Sequence, residues 1–254
     1  MTLPRTPSLR LDGRRALVTG GTRGIGLGAA TVLAEAGAEV TITARTASDI
    51  AAVVAALEAR GFDALGEALD VTDMPAVAAF LEAQPPFDIL VNSAGGARHA
   101  NFLDVTEVDY DAILALNLKS TLFVSQGVAR KLIAAGMPGS IIHISSQMGH
   151  VGGPQRTVYA ASKFAVEGLT KSMAIELGPH NIRVNTVAPT FVETEMSAQS
   201  LSDPDFRSWV LGKIKLGRLA QVEDIMGPVL LLATDAGAMI TGSTVMVDGG
   251  WTAE

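Results

Sequence analysis

"VTGGTRGIGLG", residues 18–28, decides how the rest of the chain is read. An apolar run rich in β-branched residues enters it, and a helical pattern leaves it. Glycines at 20, 24 and 26 allow a tight turn, and their missing side chains let a pyrophosphate reach the backbone. The helix that follows offers its unpaired N–H groups and the positive end of its dipole to the same anion. No Lys-Ser/Thr pair follows the glycines, so the turn is not a P-loop. Its spacing is G-x-x-x-G-x-G, and the expected ligand is a dinucleotide.

Working outward, short β-rich runs alternate with longer helical ones. Residues 15–20, 39–43, 88–92, 140–145, 183–188 and 243–249 read as strands, with a weaker one in 62–70. Their continuous Val, Ile and Leu content suits strands covered on both faces. Helical patterns occupy 25–36, 48–60, 109–135, 158–177 and 222–233. This alternation predicts right-handed crossovers and an α/β fold with a doubly wound parallel sheet. No polar linker or repeat divides residues 1–254, so a single domain is expected, preceded by a short arm at 1–12. One segment breaks the rhythm: 188–224 separates the last two strands by far more than a crossover needs. It follows the C-terminal end of a strand, where ligands bind in such sheets, and we read 189–220 as a substrate-side lid.

Composition narrows the function. The chain has 254 residues, 48% of them hydrophobic, and no cysteine. Disulfides, thiolate catalysis and cysteine-based zinc sites are excluded together, in keeping with a reducing cytoplasm. A formal net charge of −7 argues against a nucleic-acid surface. Apolar runs are short and broken, so a soluble protein without a membrane span is expected. The four histidines, at 99, 143, 150 and 180, lack metal-ligand spacing, so no metal is expected.

The second strand ends in "TITARTASD", residues 41–49. A carboxylate there would bond a ribose 2′-hydroxyl; the chain instead has Ala44 and Arg45, with Arg23 in the first turn as a second guanidinium. Two cations without an acid suit a 2′-phosphate, which favours NADP(H) over NAD(H).

The chemistry is sought in "SSQMGHVGGPQRTVYAASK", residues 145–163. It contains one of only two tyrosines, Tyr159, four positions before Lys163. On a helix the two share a face. An ammonium beside a phenol lowers its pKa from near 10 and fits it for proton transfer to or from an alcohol. Ser146, at a strand end, can present its hydroxyl to the same oxygen.

These motifs together resemble the classical short-chain dehydrogenase/reductase family over nearly the whole chain. Thr19, Gly20, Gly24 and Gly26 match its glycine turn, and Asp70 and Val71 match the pair that borders adenine. "NSAG", Asn92 to Gly95, matches its Asn-Asn-Ala-Gly motif with Ser93 as a departure. Asn117, Ser146, Tyr159 and Lys163 match its catalytic tetrad. Pro189 is kept after the sixth strand, with Thr190 where glycine is usual. The resemblance implies a Rossmann-type sheet of about seven strands with helices on both faces. It implies cofactor contacts at Gly20, Thr22, Arg23, Gly24, Ile25, Gly26, Arg45, Asp70, Val71, Asn92, Ala94, Gly95, Tyr159, Lys163, Pro189, Thr190, Val192 and Thr194. Tyr159 would be the general acid or base, Lys163 would lower its pKa, Ser146 would orient the carbonyl, and Asn117 would help hold Lys163.

The expected reaction interconverts a ketone and a secondary alcohol of a polyol, ketose or small carbonyl compound. A 3-oxoacyl-thioester reductase uses the same tetrad and is the second reading; a cofactor sensor without turnover is the third. Substrate-lining candidates are Gln147, Met148, His150, Gln155, Phe191, Glu195 and Met196, whereas Arg98 and His99 read as exposed loop residues. A homotetramer or homodimer is implied by the resemblance.

Overall fold

The computed structural model describes residues 1–253. Seven strands form one parallel sheet: β1 (Arg15–Thr19), β2 (Glu39–Ala44), β3 (Ala64–Ala68), β4 (Ile89–Asn92), β5 (Gly139–Ile144), β6 (Ile182–Pro189) and β7 (Thr244–Val247). Their order is β3-β2-β1-β4-β5-β6-β7. The chain reverses its winding between β1 and β4, which pair through Ala16 with Ile89 and Thr19 with Asn92. A crevice opens outside the strand ends at such a reversal.

Alternation along the strands builds two cores. Ala16 and Val18 of β1 face one way, toward Ala30 and Leu33 of α1 (Gly24–Glu35), Ile50 of α2 (Ala47–Glu58), and Val229 of α9 (Val222–Ala233). Leu17, between them, faces the other way. It joins Phe80 of α3 (Met74–Ala83), Val128 and Leu132 of α5 (Ser120–Ala135), and Ala174 of α6 (Thr157–Leu177). This is the double coverage that the continuous apolar strands predict. The edge strands are the exceptions, since only Ala64 of the five residues of β3 is buried and those of β7 are all partly exposed.

Between α4 (Glu107–Leu114) and α5, a π-helical turn at Ala115–Lys119 carries Asn117. The whole stretch Glu107–Ala135 is long and apolar enough, by length and composition, to cross a bilayer. No such run was expected from the sequence. Here it is a layer of the domain, with Ile113, Val124, Val128 and Leu132 buried.

The 188–224 segment holds two helices that periodicity did not predict, α7 (Glu195–Leu201) and α8 (Pro204–Lys213). Asp203 caps α8 by accepting from the Asp205 N–H at 3.0 Å, and Pro204 opens it. An aromatic cluster pins α8 to the C-terminal residues. Phe206 meets Phe191 at 5.7 Å between centroids, and Trp209 meets Trp251 at 5.4 Å. By contrast, α7 has no buried residue. In the N-terminal arm residues 1–10 are exposed, and Leu11 tucks under α1 with its N–H on the Ala36 carbonyl.

Candidate active site

A cleft of about 700 Å³ runs along the C-terminal ends of β1 to β6. Its floor is the glycine turn. Gly20 has φ +68°, and a Cβ there would lie 2.9 Å from the Ala94 backbone; a Cβ on Gly26 would lie 2.1 Å from the Gly20 carbonyl oxygen. Any side chain at either position would part the turn from its neighbours. The N-terminus of α1 has no side-chain cap, since Arg23 precedes it in extended geometry without bonding back. Its first N–H groups are therefore left for a ligand. Along the walls the hydroxyls of Thr43, Ser145 and Thr190 are buried with no hydrogen-bond partner. Bare backbone, a free helix end and waiting hydroxyls fit an extended phosphate-bearing molecule such as a dinucleotide.

Of the expected cofactor contacts, Thr22, Arg23, Gly24, Ile25, Arg45, Asp70, Val71, Ala94, Gly95, Pro189, Val192 and Thr194 join Gly20, Gly26 and Thr190 on the cleft wall. Asn92 does not. It is buried below the cleft, donating to the Ser125 hydroxyl at 2.9 Å and to Nδ1 of His143 at 3.1 Å. Burial first, and Lys163 second, push His143 down to about 3, so its neutral ring can accept that bond. Asn92 thus ties β4 to α5 and β5. Asp70 turns its carboxylate to the N–H and hydroxyl of Thr72, bonds that hold it below the usual range.

Ser146, Tyr159 and Lys163 meet on one wall of the cleft. Ser146 donates to the Gln147 side chain at 2.8 Å and accepts from the Met148 N–H at 3.1 Å. Lys163 is buried, 5.7 Å from the Tyr159 ring centroid, and donates to the Ile144 carbonyl at 2.8 Å. Burial brings Lys163 down to about 8, against the opposing pull of the Glu167 carboxylate one helical turn on. Glu167 is itself buried, accepting from Thr186 and Thr244.

Tyr159 is raised above its ordinary value by loss of solvent, and the groups opposing that rise are Ser146 and then Arg156. Lys163 is turned to the Ile144 carbonyl in this structure, and Arg156, a residue the sequence reading passed over, is a further cation that opposes the rise of the phenol.

Asn117 lies behind the cleft wall. Its side chain accepts from the Gly96 N–H at 2.9 Å and donates to the Gly96 carbonyl at 2.9 Å and the Ser162 hydroxyl at 3.1 Å. It braces the loop after β4 against α6 and makes no bond to Lys163. Gly95 fits between them, where a Cβ would be 3.4 Å from Asn117 Oδ1 and 3.9 Å from Lys163 Nζ.

On the substrate side, Gln147, Met148, Phe191, Glu195 and Met196 line the cleft. His150 and Gln155 do not. His150 turns behind α6, its Nε2 3.4 Å from Glu167. Gln155 takes the left-handed backbone (φ 58°), and its side chain reaches Asn101 outside the cleft. Glu195 reaches across the mouth to Arg23 at 3.2 Å, both side chains well exposed. Arg98 and His99 are exposed as expected, yet both line the cleft, Arg98 paired with Asp109.

Comparison with known proteins agrees with this geometry. The profile of a family described as enoyl-(acyl carrier protein) reductase matches residues 20–252. D-erythrulose reductase of Gallus gallus is 44% identical, over 96% of this chain and 98% of that protein. L-xylulose reductase of Bos taurus is 45% identical, over 96% and 99%. Among solved structures, a gluconate 5-dehydrogenase from Burkholderia cenocepacia J2315, in complex with NADP and tartrate, superposes with a TM-score of 0.93. It is 38% identical and covers 97% of this chain and 98% of its own. Sheet order, glycine turn, the Ser-Tyr-Lys wall and these relatives converge: the chain belongs to the classical short-chain dehydrogenase/reductase family of oxidoreductases.

Proposed function

We propose that the protein is an NADP(H)-dependent oxidoreductase that interconverts a ketone and a secondary alcohol in a polyol, ketose or small carbonyl compound. The observation that carries this reading is the convergence of Ser146, Tyr159 and Lys163 on one wall of a cleft whose floor is the glycine turn. The relatives that act on erythrulose, xylulose and gluconate support the substrate class. The NADP of the solved relative supports the cofactor, together with Arg45 at the end of β2, where a ribose-binding carboxylate would otherwise stand, and Arg23 in the glycine turn.

When bound, the nicotinamide exchanges a hydride with the substrate carbon. The chain's own residues handle the oxygen. Tyr159, kept protonated by its surroundings, donates its proton to that oxygen during reduction and recovers it during oxidation. Arg156 and Ser146 oppose the rise in its pKa, which keeps the phenol able to give the proton up. Ser146 turns its hydroxyl from Gln147 to the carbonyl and orients it. Lys163 would hold the ribose hydroxyls of the cofactor, and it keeps a positive charge below about pH 8. Asn117 keeps the loop after β4 registered against α6. In the lid, α8 is anchored by aromatic packing, and α7, with no buried residue, touches the same cluster only through Leu201. Exposed Phe123, Phe164 and Ile175 on α5 and α6 supply the contact faces of a homo-oligomer.

A spectrophotometric panel tests the reading. NADPH oxidation and NADP reduction are followed with polyols, ketoses, diketones and an acetoacetyl thioester, and repeated with NADH and NAD. Turnover of ketoses or polyols with NADPH preferred is expected. Turnover of the thioester alone would favour an acyl-thioester reductase, and a large preference for NAD would remove the argument from Arg23 and Arg45.

A further inference from the structure

The substrate end of the cleft contains a cation that the chemistry above does not employ as a binding group. Arg156 immediately precedes α6, three residues before Tyr159, and it lines the cleft while only 5% exposed. Its guanidinium carbon lies 5.5 Å from the ring centroid of Phe206, a residue of the anchored α8. Its polar contacts are weak: the Gln155 carbonyl and the Ser200 hydroxyl, both at 3.5 Å. Among the described residues no carboxylate lies within ion-pair distance of it. Two other arginines on the cleft wall already have acids, Arg23 with Glu195 and Arg98 with Asp109. A guanidinium has five N–H donors, and one buried with two long bonds is incomplete until an anion arrives.

Resting on the function proposed above, we infer that Arg156 anchors a carboxylate on the substrate, so that the enzyme's own substrates are small oxo-acids and the matching hydroxy acids. The planar fork of Arg156 accepts a carboxylate through two parallel N–H···O bonds. With its carboxylate there, the ketone of a short oxo-acid reaches Tyr159 and Ser146. The ketone carbon gains the hydride of NADPH and its oxygen gains a proton, giving the hydroxy acid and NADP⁺; the carboxylate is unchanged. A single buried cation balances a monoanion. A phosphate dianion would leave a negative charge uncompensated beside Tyr159, so the carboxylate is favoured over a sugar phosphate. A neutral ketose would leave the guanidinium unpaired, and a site built around a polar group discriminates against ligands that lack its partner.

The test compares three substrates in the full-length protein with NADPH: a six-carbon oxo-aldonate, the ketohexose with a hydroxymethyl group in place of the carboxylate, and the corresponding ketose phosphate. In parallel, the oxo-aldonate, which cannot react with NADP⁺, is titrated calorimetrically into the protein with NADP⁺. Wild type, Arg156→Gln and Arg156→Lys are used, their folding checked by thermal unfolding. The wild type is expected to prefer the oxo-acid. In Arg156→Gln the ratio of kcat/KM for acid over ketose falls roughly 10- to 100-fold, mainly through KM, as expected for loss of one charged hydrogen-bonding partner. Oxo-aldonate affinity falls in step, and Arg156→Lys recovers part of both. An unchanged ratio with unchanged oxo-aldonate affinity in Arg156→Gln overturns the inference, as does a wild-type preference for the ketose. Preference for the ketose phosphate overturns the carboxylate assignment. Absence of turnover with every substrate would count against the proposed function, and the calorimetric comparison would still decide the role of Arg156.

Discussion

Replacing Lys163 by methionine should make the protein more stable while abolishing its turnover. The ammonium is buried, and burial brings its pKa from 10.5 to about 8 despite the attraction of Glu167. The folded-state value lies below the unfolded one, so the unfolded chain binds more protons between about pH 8 and 10.5 and stability rises with pH there. Below about pH 8 the cost of the buried charge is fully present, roughly 3 kcal/mol from the gap between the two values. Methionine fills a similar volume without a charge, and gives up the bond to the Ile144 carbonyl, about 1 kcal/mol. The net gain at pH 7 is roughly 2 kcal/mol, or about 4–8 °C in Tm for a chain of this size. Tyr159 is common to both proteins, so its raised pKa cancels in the difference. The advantage should shrink above about pH 8 and vanish near pH 10. Scanning calorimetry of the cofactor-free proteins, at one protein concentration from pH 6 to 10, measures it. A lower Tm for the variant at pH 7, or a difference that does not change with pH, would refute the reasoning.

Two further changes probe the cofactor end. Gly26→Ala places a Cβ 2.1 Å from the Gly20 carbonyl oxygen, backbone against backbone. Overpacking of this kind typically costs about 1–3 kcal/mol. The unfolding temperature should drop by several degrees and fluorescence titration should show NADPH affinity at least about tenfold weaker; wild-type behaviour in both would show that the close approach is not needed. Arg45→Ala should weaken NADPH binding roughly 10- to 100-fold and leave NADH binding nearly unchanged, because a charged hydrogen bond to the 2′-phosphate is lost. Equal losses for both cofactors would mean that Arg45 does not read that phosphate.

Much of this architecture is legible in the sequence because local pattern and tertiary environment agree. Strands buried on both faces announce themselves as unbroken apolar runs, and α9 falls on residues 222–233 as its periodicity predicts. The elements that escaped were short or polar. α7 has no buried residue and leaves no hydrophobic trace, whereas β3, exposed over four of its five residues, is legible only as the weaker strand in 62–70. α3 and α8 did carry signals, Asp73 with Pro75 and Asp203 with Pro204, which mark helix starts even where the apolar pattern is weak. The site divides similarly. Tyr159, Lys163 and Ser146 were found through spacing, which a helix face and a strand end convert into proximity. His150 and Gln155 were misplaced because the loop before α6 brings His150 to Glu167 and, at a left-handed Gln155, carries that side chain to Asn101. The same turn leaves Arg156 facing inward. Its partners, Phe206 and Ser200, lie 50 and 44 residues away, so no local pattern could reveal it.

The central claim is that Tyr159 is the proton donor and acceptor of a ketone–alcohol oxidoreductase. Removing only its hydroxyl, in Tyr159→Phe, tests this most directly, with turnover and NADPH binding measured on the same preparation. The account predicts that kcat falls by roughly 10²- to 10⁴-fold or more, the usual contribution of a positioned acid or base, while NADPH affinity stays within a few-fold of wild type. Turnover close to that of wild type would contradict it.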